Sequence, residues 1–500
     1  MTGLSGLFIV LLTALVFPTA ALGANSGKAA KAPVIKDIRI HGNTRTRSVV
    51  IERELLFSVG QHLDSSLVKE TARNLRRLFY LGNVEIDIQE GDGWVILVIQ
   101  VEDLYARALS PLLSGEAEEL SYGGVALDYN FLGRGQIVQL TAERDAISGN
   151  YGSVFYENPR VMGTRQAARA EIGAGSERHE VSVSLTRSFR SLSDRWAHGV
   201  SLGDRQAVQR RYIDQDLAER YTDRQKTGLV WVNRSYGDRI KLRPSFQLSV
   251  SDRRFSPDPG FTYAPIDRKR VLPGIGVVLW RPGFEKRRFI RGLGRTEDLQ
   301  TGSWISVSGG ISSKKLGSDS NYSFYRAQIS PRFSFAGNAY AFLTFFVRMR
   351  RQQGKYANLY SLGELLAYVQ IWEVHTFAIR FRWDALDKPE DNSQLLLGVD
   401  RGLRGYRPRR FDGSRRILMN LEARPIVFQR PGLVLAGAFF ADGGTAWAPG
   451  RSSPSLQFAV GMGVRVNFTR IYDNPILRAD LAYGIQDRAW QVSVGLGQYF

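Results

Sequence analysis

The hydrophobic pattern divides this chain in two. Between Val34 and Val101, short alternating runs enclose a stretch of helical spacing, whereas from about Tyr105 to Phe500 a period of two recurs almost without a break. In the first region, residues 34–40 alternate as a strand and end at Gly42-Asn43, a turn signal. Thr46 can cap a helix running to about Phe57, which Gly60 ends, and Asp64, Ser65 or Ser66 can cap a second. Leu67, Thr71, Leu75, Leu78 and Phe79 give that second helix one apolar stripe. Leu81-Gly82-Asn83 breaks it, and residues 84–88 and 94–101 predict a hairpin across Gly91-Asp92-Gly93. The predicted order is β-α-α-β-β.

In the second region, residues 340–350 set Leu343, Phe345, Val347 and Met349 against Thr344, Arg348 and Arg350. Residues 376–383 set Phe377, Ile379, Phe381 and Trp383 against Arg380 and Arg382. Residues 458–468 set Phe458, Val460, Met462, Val464, Val466 and Phe468 against Gly461, Gly463, Arg465 and Asn467. The last run puts Trp490, Val492, Val494, Leu496 and Phe500 on one face, and Gln491, Ser493, Gly495 and Gly497 on the other. A soluble sandwich would also alternate, but here the second face is rich in Arg and Gly over the whole region and the chain ends on an aromatic. The pattern predicts strands with one face in lipid and the other in a wet lumen, closed into an antiparallel barrel so that every backbone group is paired. Up to about twenty such runs can be marked. Residues 206–225 and 255–268 are charged without a period of two and are expected to be loops on the outer side.

Composition narrows the setting. The apolar run from Leu7 to Leu22 ends in Ala21-Leu22-Gly23 before Ala24, which predicts a cleaved signal peptide over residues 1–23 and a small, basic tether over 24–33; an uncleaved anchor helix is the alternative. The chain has no cysteine, which excludes disulfides and thiolate chemistry. A net charge of +19 would suggest nucleic acid in a cytosolic protein. With an export signal, anionic lipid headgroups and a wet basic lumen are the expected surroundings of the arginines, and no nucleic-acid partner is expected. His41, His62, His179, His198 and His375 show no metal-ligand spacing, and no Gly-x-Ser-x-Gly elbow occurs. Neither an enzyme nor a cofactor is expected.

The first region resembles a POTRA domain, the periplasmic module of the BamA/TamA outer-membrane insertase superfamily. The matching positions are the Ile-rich first strand, Gly42-Asn43-Thr44, Gly60, the helix from Leu75 to Phe79, and Leu81-Gly82-Asn83-Val84. Arg404-Gly405-Tyr406 resembles the element at the tip of that superfamily's sixth extracellular loop. The resemblance implies that this loop folds back into the lumen and that its arginine pairs with inward acids, here Glu422 and Asp442. Asp128 to Gly135 and Tyr156-Glu157-Asn158-Pro159 resemble the family's periplasmic turns, and the strand ending at Phe500 resembles its C-terminal recognition signal.

The expectation is therefore a mainly β protein: an α/β POTRA domain at 34–103 and a transmembrane antiparallel barrel at 105–500, of about sixteen strands by analogy with BamA. Some of the twenty runs would then be hairpins within loops. Arg404, Gly405, Tyr406, Glu422 and Asp442 are the expected loop lock, and Gly42 and Asn43 the POTRA turn. Val494, Gly495, Gly497 and Phe500 are expected in a client-accepting seam strand that pairs with a first strand somewhere in 105–130, the two glycines weakening the seam. The resemblance further implies an outer-membrane protein that inserts or translocates unfolded polypeptides, in contact with lipid and with periplasmic accessory proteins. Alternatives are a two-partner-secretion pore and a passive diffusion or structural barrel. Pores of that secretion type carry two POTRA domains and a plug helix, for which residues 24–33 are too short.

Overall fold

The computed structural model describes residues 32–78, 80–116, 119–390, 393–450, 455–469 and 476–500. The expected signal peptide, the tether as far as residue 31, and Phe79 lie outside them. The chain forms two compact units, one of residues to Ala106 with Tyr129–Gln136 and Arg190–Ser193, the other of the remainder.

The first unit contains β1 (Val34–His41), α1 (Ser48–Glu52), α2 (Ser65–Arg76), β2 (Leu81–Glu90) and β3 (Trp94–Asp103). The sheet order is β1-β3-β2, with β1 parallel and β2 antiparallel to β3. The middle strand is the one with an unbroken apolar run, Trp94 to Ile99, as a strand covered on both faces requires. Val50, Ile51, Val68 and Leu75 of the helices are buried with Ile35, Val95, Leu97 and Ile99. Gly42 turns the chain out of β1 with φ +89, and a Cβ there would lie 1.8 Å from the Val101 carbonyl oxygen, so only glycine fits. Asn43 holds the following turn, its Nδ2 donating to the Thr46 carbonyl (3.0 Å) and to Ser48 Oγ (3.1 Å).

Two local expectations are corrected. Helix α1 ends at Glu52 rather than Phe57, and Thr46 does not cap it. The Thr46 hydroxyl and N–H both donate to Asp103 at the end of β3, and its oxygen accepts from Asn130 Nδ2 (2.8 Å), so a tertiary donor takes the place of the helix N–H groups a cap would bind. Leu81-Gly82-Asn83 does not merely break the second helix but starts β2, where Asn83 at φ 44 forms an irregularity. Among the candidate caps of α2, Asp64 takes the role, accepting from Ser66 N (2.8 Å).

The second unit is a closed antiparallel barrel of sequential neighbours. Among the described residues it has twenty strands, not about sixteen. Two of them are each split in two, Tyr322–Ser330 from Arg332–Phe335 and Arg415–Arg424 from Ile426–Arg430, with both pieces on the same neighbour. Pro331 and Pro425 stand at the breaks, where a residue without an N–H interrupts the ladder. Residues 206–225 are not a loop. Trp196–Ile213 and Asp216–Arg234 pair along their lengths and turn at Asp214 and Gln215, both at positive φ. Their outer halves are polar on both faces, which removes the alternation that marks a half-buried strand. In the 255–268 stretch the ladder runs on to Pro257 before the chain becomes irregular.

Two insertions leave the ladder. Taking the end where the first strand, Arg107–Glu116, begins as the near end, the tenth strand (Arg268–Trp280) runs back to it. There a hairpin, Phe284–Arg288 with Thr296–Gln300, precedes the eleventh strand. The fifteenth strand, His375–Asp387, runs to the far end, where residues 388–414 form the other insertion, with a short ladder of Leu395–Leu397 and Phe411–Gly413.

The Asp64 cap gives a prediction with a defined pH sign. Hydrogen bonds from the Ser66 hydroxyl and N–H hold the Asp64 carboxyl below the usual carboxylate range. A depressed carboxylate stabilises fully above its unfolded value, and that contribution is lost as pH falls through the folded value. Asp64→Ala should speed hydrogen exchange of α2 amides by a factor of a few at neutral pH, on the order of the 0.5–1 kcal/mol of a solvent-exposed cap. The difference between variant and wild type should shrink in acid.

Candidate functional site: the loop tip and the barrel seam

The far-end insertion carries Arg404 into the lumen, where it is fully buried. Its Nε and Nη2 donate to Asp442 Oδ2 (2.7 Å) and Oδ1 (2.9 Å), and Nη1 donates to Glu422 Oε2 (2.6 Å). The Arg404 N–H also donates to Asp442 (3.2 Å). The guanidinium lies between two rings, Phe440 at 3.4 Å and Tyr499 at 4.1 Å from their centroids. Glu422 and Asp442 stand on adjacent strands, Arg415–Arg424 and Leu433–Trp447, whose register sets Asn420 opposite Asp442 and Glu422 opposite Phe440. All four share the lumen phase.

The neighbours of Arg404 hold its approach. A Cβ on Gly405, at φ +86, would lie 2.9 Å from both Ala459 Cβ and the Gly484 N. Tyr406 packs with Leu397, Leu403, Leu418, Ala446 and Ala459, and its hydroxyl lies 2.5 Å from Gln486 Oε1 and 2.9 Å from the Phe458 carbonyl oxygen. Beyond the expected residues, Asn420 Nδ2 donates to Asp442 and to the Gly402 carbonyl (2.8 Å each). Arg424 Nε donates to Glu422 (2.9 Å), and Arg465 bridges Asp480 (2.7 Å) and Glu422 (3.4 Å). Arg478 lies 3.8 Å from Asp480, so four arginines, Arg404, Arg424, Arg465 and Arg478, surround the three acids Glu422, Asp442 and Asp480. The sequence signal for Arg465 and Asp480 was their lumen phase alone.

Farther out, the insertion is tied to the wall. Glu390 takes ion pairs from Arg268, Arg270 and Arg350, Gln394 exchanges hydrogen bonds with the Tyr212 backbone, and Arg409 donates to Glu119.

The last strand, Ala489–Leu496, closes the barrel on the first. Among the described residues this seam has two register pairs, Ser493↔Glu116 and Val494↔Gly115, whereas the last strand pairs with its other neighbour from Ala489 to Leu496. Residues 107–114 of the first strand therefore have no partner on the seam side among the described residues. Pro111 sits on that edge, where no N–H is needed, and Leu109 is 85% exposed. The two glycines have separate roles: a Cβ on Gly495 would meet Arg478 Nη2 at 2.5 Å, and Gly497, at φ +84, turns the chain inward.

That turn corrects the placement of Phe500. It does not continue the lipid face but packs in the lumen against a cluster that includes Ile290, Tyr340 and Tyr368, and its carbonyl accepts from Arg424 Nη2 (3.0 Å). Tyr499, which periodicity did not single out, donates to the Val399 carbonyl (2.9 Å) of the far-end insertion. A lumen cavity of about 830 Å³ borders Ser114, Gly115, Ser493 and Val494 of the seam and Asp400 to Gly402 of the insertion. Among the described residues no group of three His, Cys, Asp or Glu could hold a metal ion, and no helix is long and apolar enough to cross a membrane.

A POTRA family model, described as "Surface antigen variable number repeat", matches residues 33–103. Over 141 residues the chain is 27% identical to the outer membrane protein assembly factor BamA of Neorickettsia risticii (strain Illinois), a match that takes in 28% of this chain and 19% of that protein. The solved CdiB from Escherichia coli superimposes with a TM-score of 0.50 at 11% identity, covering 93% of this chain and 76% of that one. BamA from Haemophilus ducreyi lacking POTRA domains 1–3 gives 0.44 at 14% identity, covering 94% and 85%. The matched module and the closed barrel define a POTRA-bearing β-barrel protein of the outer membrane. The chain is similar to BamA over the matched stretch, with one POTRA domain matched, and that domain lies in the periplasm. The POTRA region runs directly into the first barrel strand, so the near end of the barrel is periplasmic and the far end extracellular.

Arg404→Ala would leave Asp442 buried with Asn420 but no cation, a loss on the order of 3–5 kcal/mol. Arg404→Lys, which cannot make the fork to Asp442, should lose part of that. Faster proteolysis within 388–414 and a lower unfolding temperature of the barrel in detergent are the expected readouts. Asp442→Asn added to Arg404→Ala should recover some stability, because it removes the stranded charge.

Proposed function

We propose that this protein inserts or translocates polypeptide at the outer membrane, accepting client strands at the seam without nucleotide, metal or covalent catalysis. The observation that carries this reading is the pairing deficit: among the described residues two register pairs close a barrel whose first strand keeps an open edge over residues 107–114. An unpaired edge presents alternate N–H and C=O groups, and an incoming strand can add to it by β-augmentation. Each ladder hydrogen bond has a net value of about 0.5–1.5 kcal/mol, so opening two pairs is within reach of thermal motion when a client supplies replacements. Exchange of this kind needs no external energy source. The periplasmic sheet has two edges of its own, β1 and β2, which suit the capture of extended segments or accessory proteins. The filled lumen around Arg404 supports this reading over a passive diffusion barrel.

The competing reading is a secretion pore in which an exoprotein threads the lumen. A disulfide across the seam separates the two. Glu116→Cys with Ser493→Cys joins register partners in a chain with no other thiol. Oxidation should abolish assembly of client barrels in proteoliposomes, reductant should restore it, and the barrel should stay heat-modifiable throughout. Full activity in the oxidised form would overturn the seam mechanism while leaving threading open.

A further inference from the structure

The near-end hairpin carries an inference beyond the seam. Every other periplasmic connection within the described part of the barrel is a brief turn or loop, such as Leu132–Gly135 or Trp372–Val374, yet residues 281–303 form a folded insertion. Its tip is apolar and buried: Ile290 is fully buried, with Phe289 and Leu293 close to it. Ile290 and Leu299 pack with Tyr340, Phe342, Tyr368 and Ala378, and Phe289 and Leu293 with Val434, Ala436 and Ile476. These wall residues lie on the inward faces of the barrel strands at their periplasmic ends. A water-filled lumen would need polar groups there, and farther along the same strands it has them in Arg348, Tyr360 and Arg380. The apolar patch and the apolar tip therefore account for each other.

Polar contacts fix the tip as well. Thr376 Oγ1 donates to the Phe289 carbonyl (2.5 Å), Gln370 Nε2 to the Arg288 carbonyl (2.7 Å), and Asn467 Nδ2 to the Leu293 carbonyl. Glu297 accepts from the N–H groups of Ile290 (2.9 Å) and Arg291 (3.1 Å), which shapes the turn. Gly294, at φ +93, lets the backbone pass Val434; a Cβ there would lie 2.6 Å from its Cγ2. Wall side chains from four different strands thus meet one small hairpin.

We propose that residues 284–300 are a built-in plug of the periplasmic mouth, complementary to the loop that fills the extracellular half, and that they stay in place while the protein works. Client polypeptide then reaches the membrane along the outside of the mouth and the seam, not through the lumen. This second clause rests on the function proposed above; the plug itself does not.

Two measurements test the two clauses separately. For the plug, residues 284–300 are replaced by a short Asn-Gly turn, and Ile290→Asp with Leu293→Asp serves as a gentler variant. Single-channel recording in planar bilayers, with Arg404→Ala added to release the extracellular loop, should show a steady conductance several times that of Arg404→Ala alone in either variant that remains heat-modifiable. Unchanged conductance in the gentler variant overturns the plug. For the route, Leu293→Cys with Val434→Cys ties the tip to the wall. Oxidation should leave client assembly at the wild-type rate, and loss that reductant restores overturns the external route. If the untied wild type assembles no client, the proposed function fails, while the conductance result still decides the plug.

Discussion

A fully buried guanidinium is the constraint on which the barrel interior depends. Removing an arginine and two carboxylates from water is costly, and their mutual attraction compensates only when the remaining donors and acceptors are also met. Here Asp442 is bound by the fork, the Arg404 N–H and Asn420, and Glu422 by three arginines. The set gives every acid at least one arginine and spans four consecutive strands, from Glu422 through Asp442 and Arg465 to Asp480. A partial version would be worse than an apolar core, which is why the loop tip must come all the way in or not at all. Gly405 and Tyr406 serve that insertion, one by lacking a Cβ and the other by filling the apolar pocket behind the tip.

The same network reaches the seam through the C-terminus. Tyr499 covers one face of Arg404 and donates to the loop backbone, and the Phe500 carbonyl is held by Arg424, which also binds Glu422. In the register of Val494 with Gly115, residues 497–500 would run beside 109–112, and they cannot do so while satisfying this interior. Gly497 sends them inward, and the open edge over 109–112 is the geometric consequence. The weakness of the seam thus follows more from where the tail goes than from glycine in the strand: Gly495, which weakened propensity alone would explain, is the site that Arg478 occupies.

What the sequence made legible was whatever a single period reveals. Phase put Arg465 on the lumen face, the family resemblance pointed to Glu422 and Asp442 as inward acids, and the β-α-α-β-β order followed from two changes of period. Three things resisted. The outer halves of the strands around Gln206 and Gln225 carry polar residues on both faces, although Ala207, Tyr221 and Asp223 on one of them are buried, so alternation vanishes where the ladder continues, and analogy with a sixteen-stranded barrel then outweighed the twenty runs the chain displays. Thr46 would accept locally as a cap, but its oxygen accepts from a donor far along the chain, Asn130. Phe500 obeyed the parity of its strand only on paper, because one left-handed residue at 497 reverses the facing of everything after it. The periplasmic hairpin had a readable sign that alternation hides: Tyr340 and Phe342 share the inward phase of Thr344, and two aromatics facing a supposedly wet lumen require a cover.

The surplus of arginine also finds a structural setting. At the periplasmic rim, Arg234 lies over Trp196 and Tyr236 on the outward face, whereas Arg243 over Phe189 and Trp280 and Arg332 over Trp304 and Phe342 stack on the lumen face. Aromatic rings favour the membrane–water boundary because one side is apolar and the other polar, and a planar guanidinium can stack on a ring while keeping donors toward water or lipid phosphate. Lysine, a compact and strongly hydrated charge, does this poorly. The outward Arg234 stack suits positive charge at headgroup depth, and the inward stacks hold the other arginines against the wall of the lumen. The net charge of the chain is in this respect a property of the boundary it sits in.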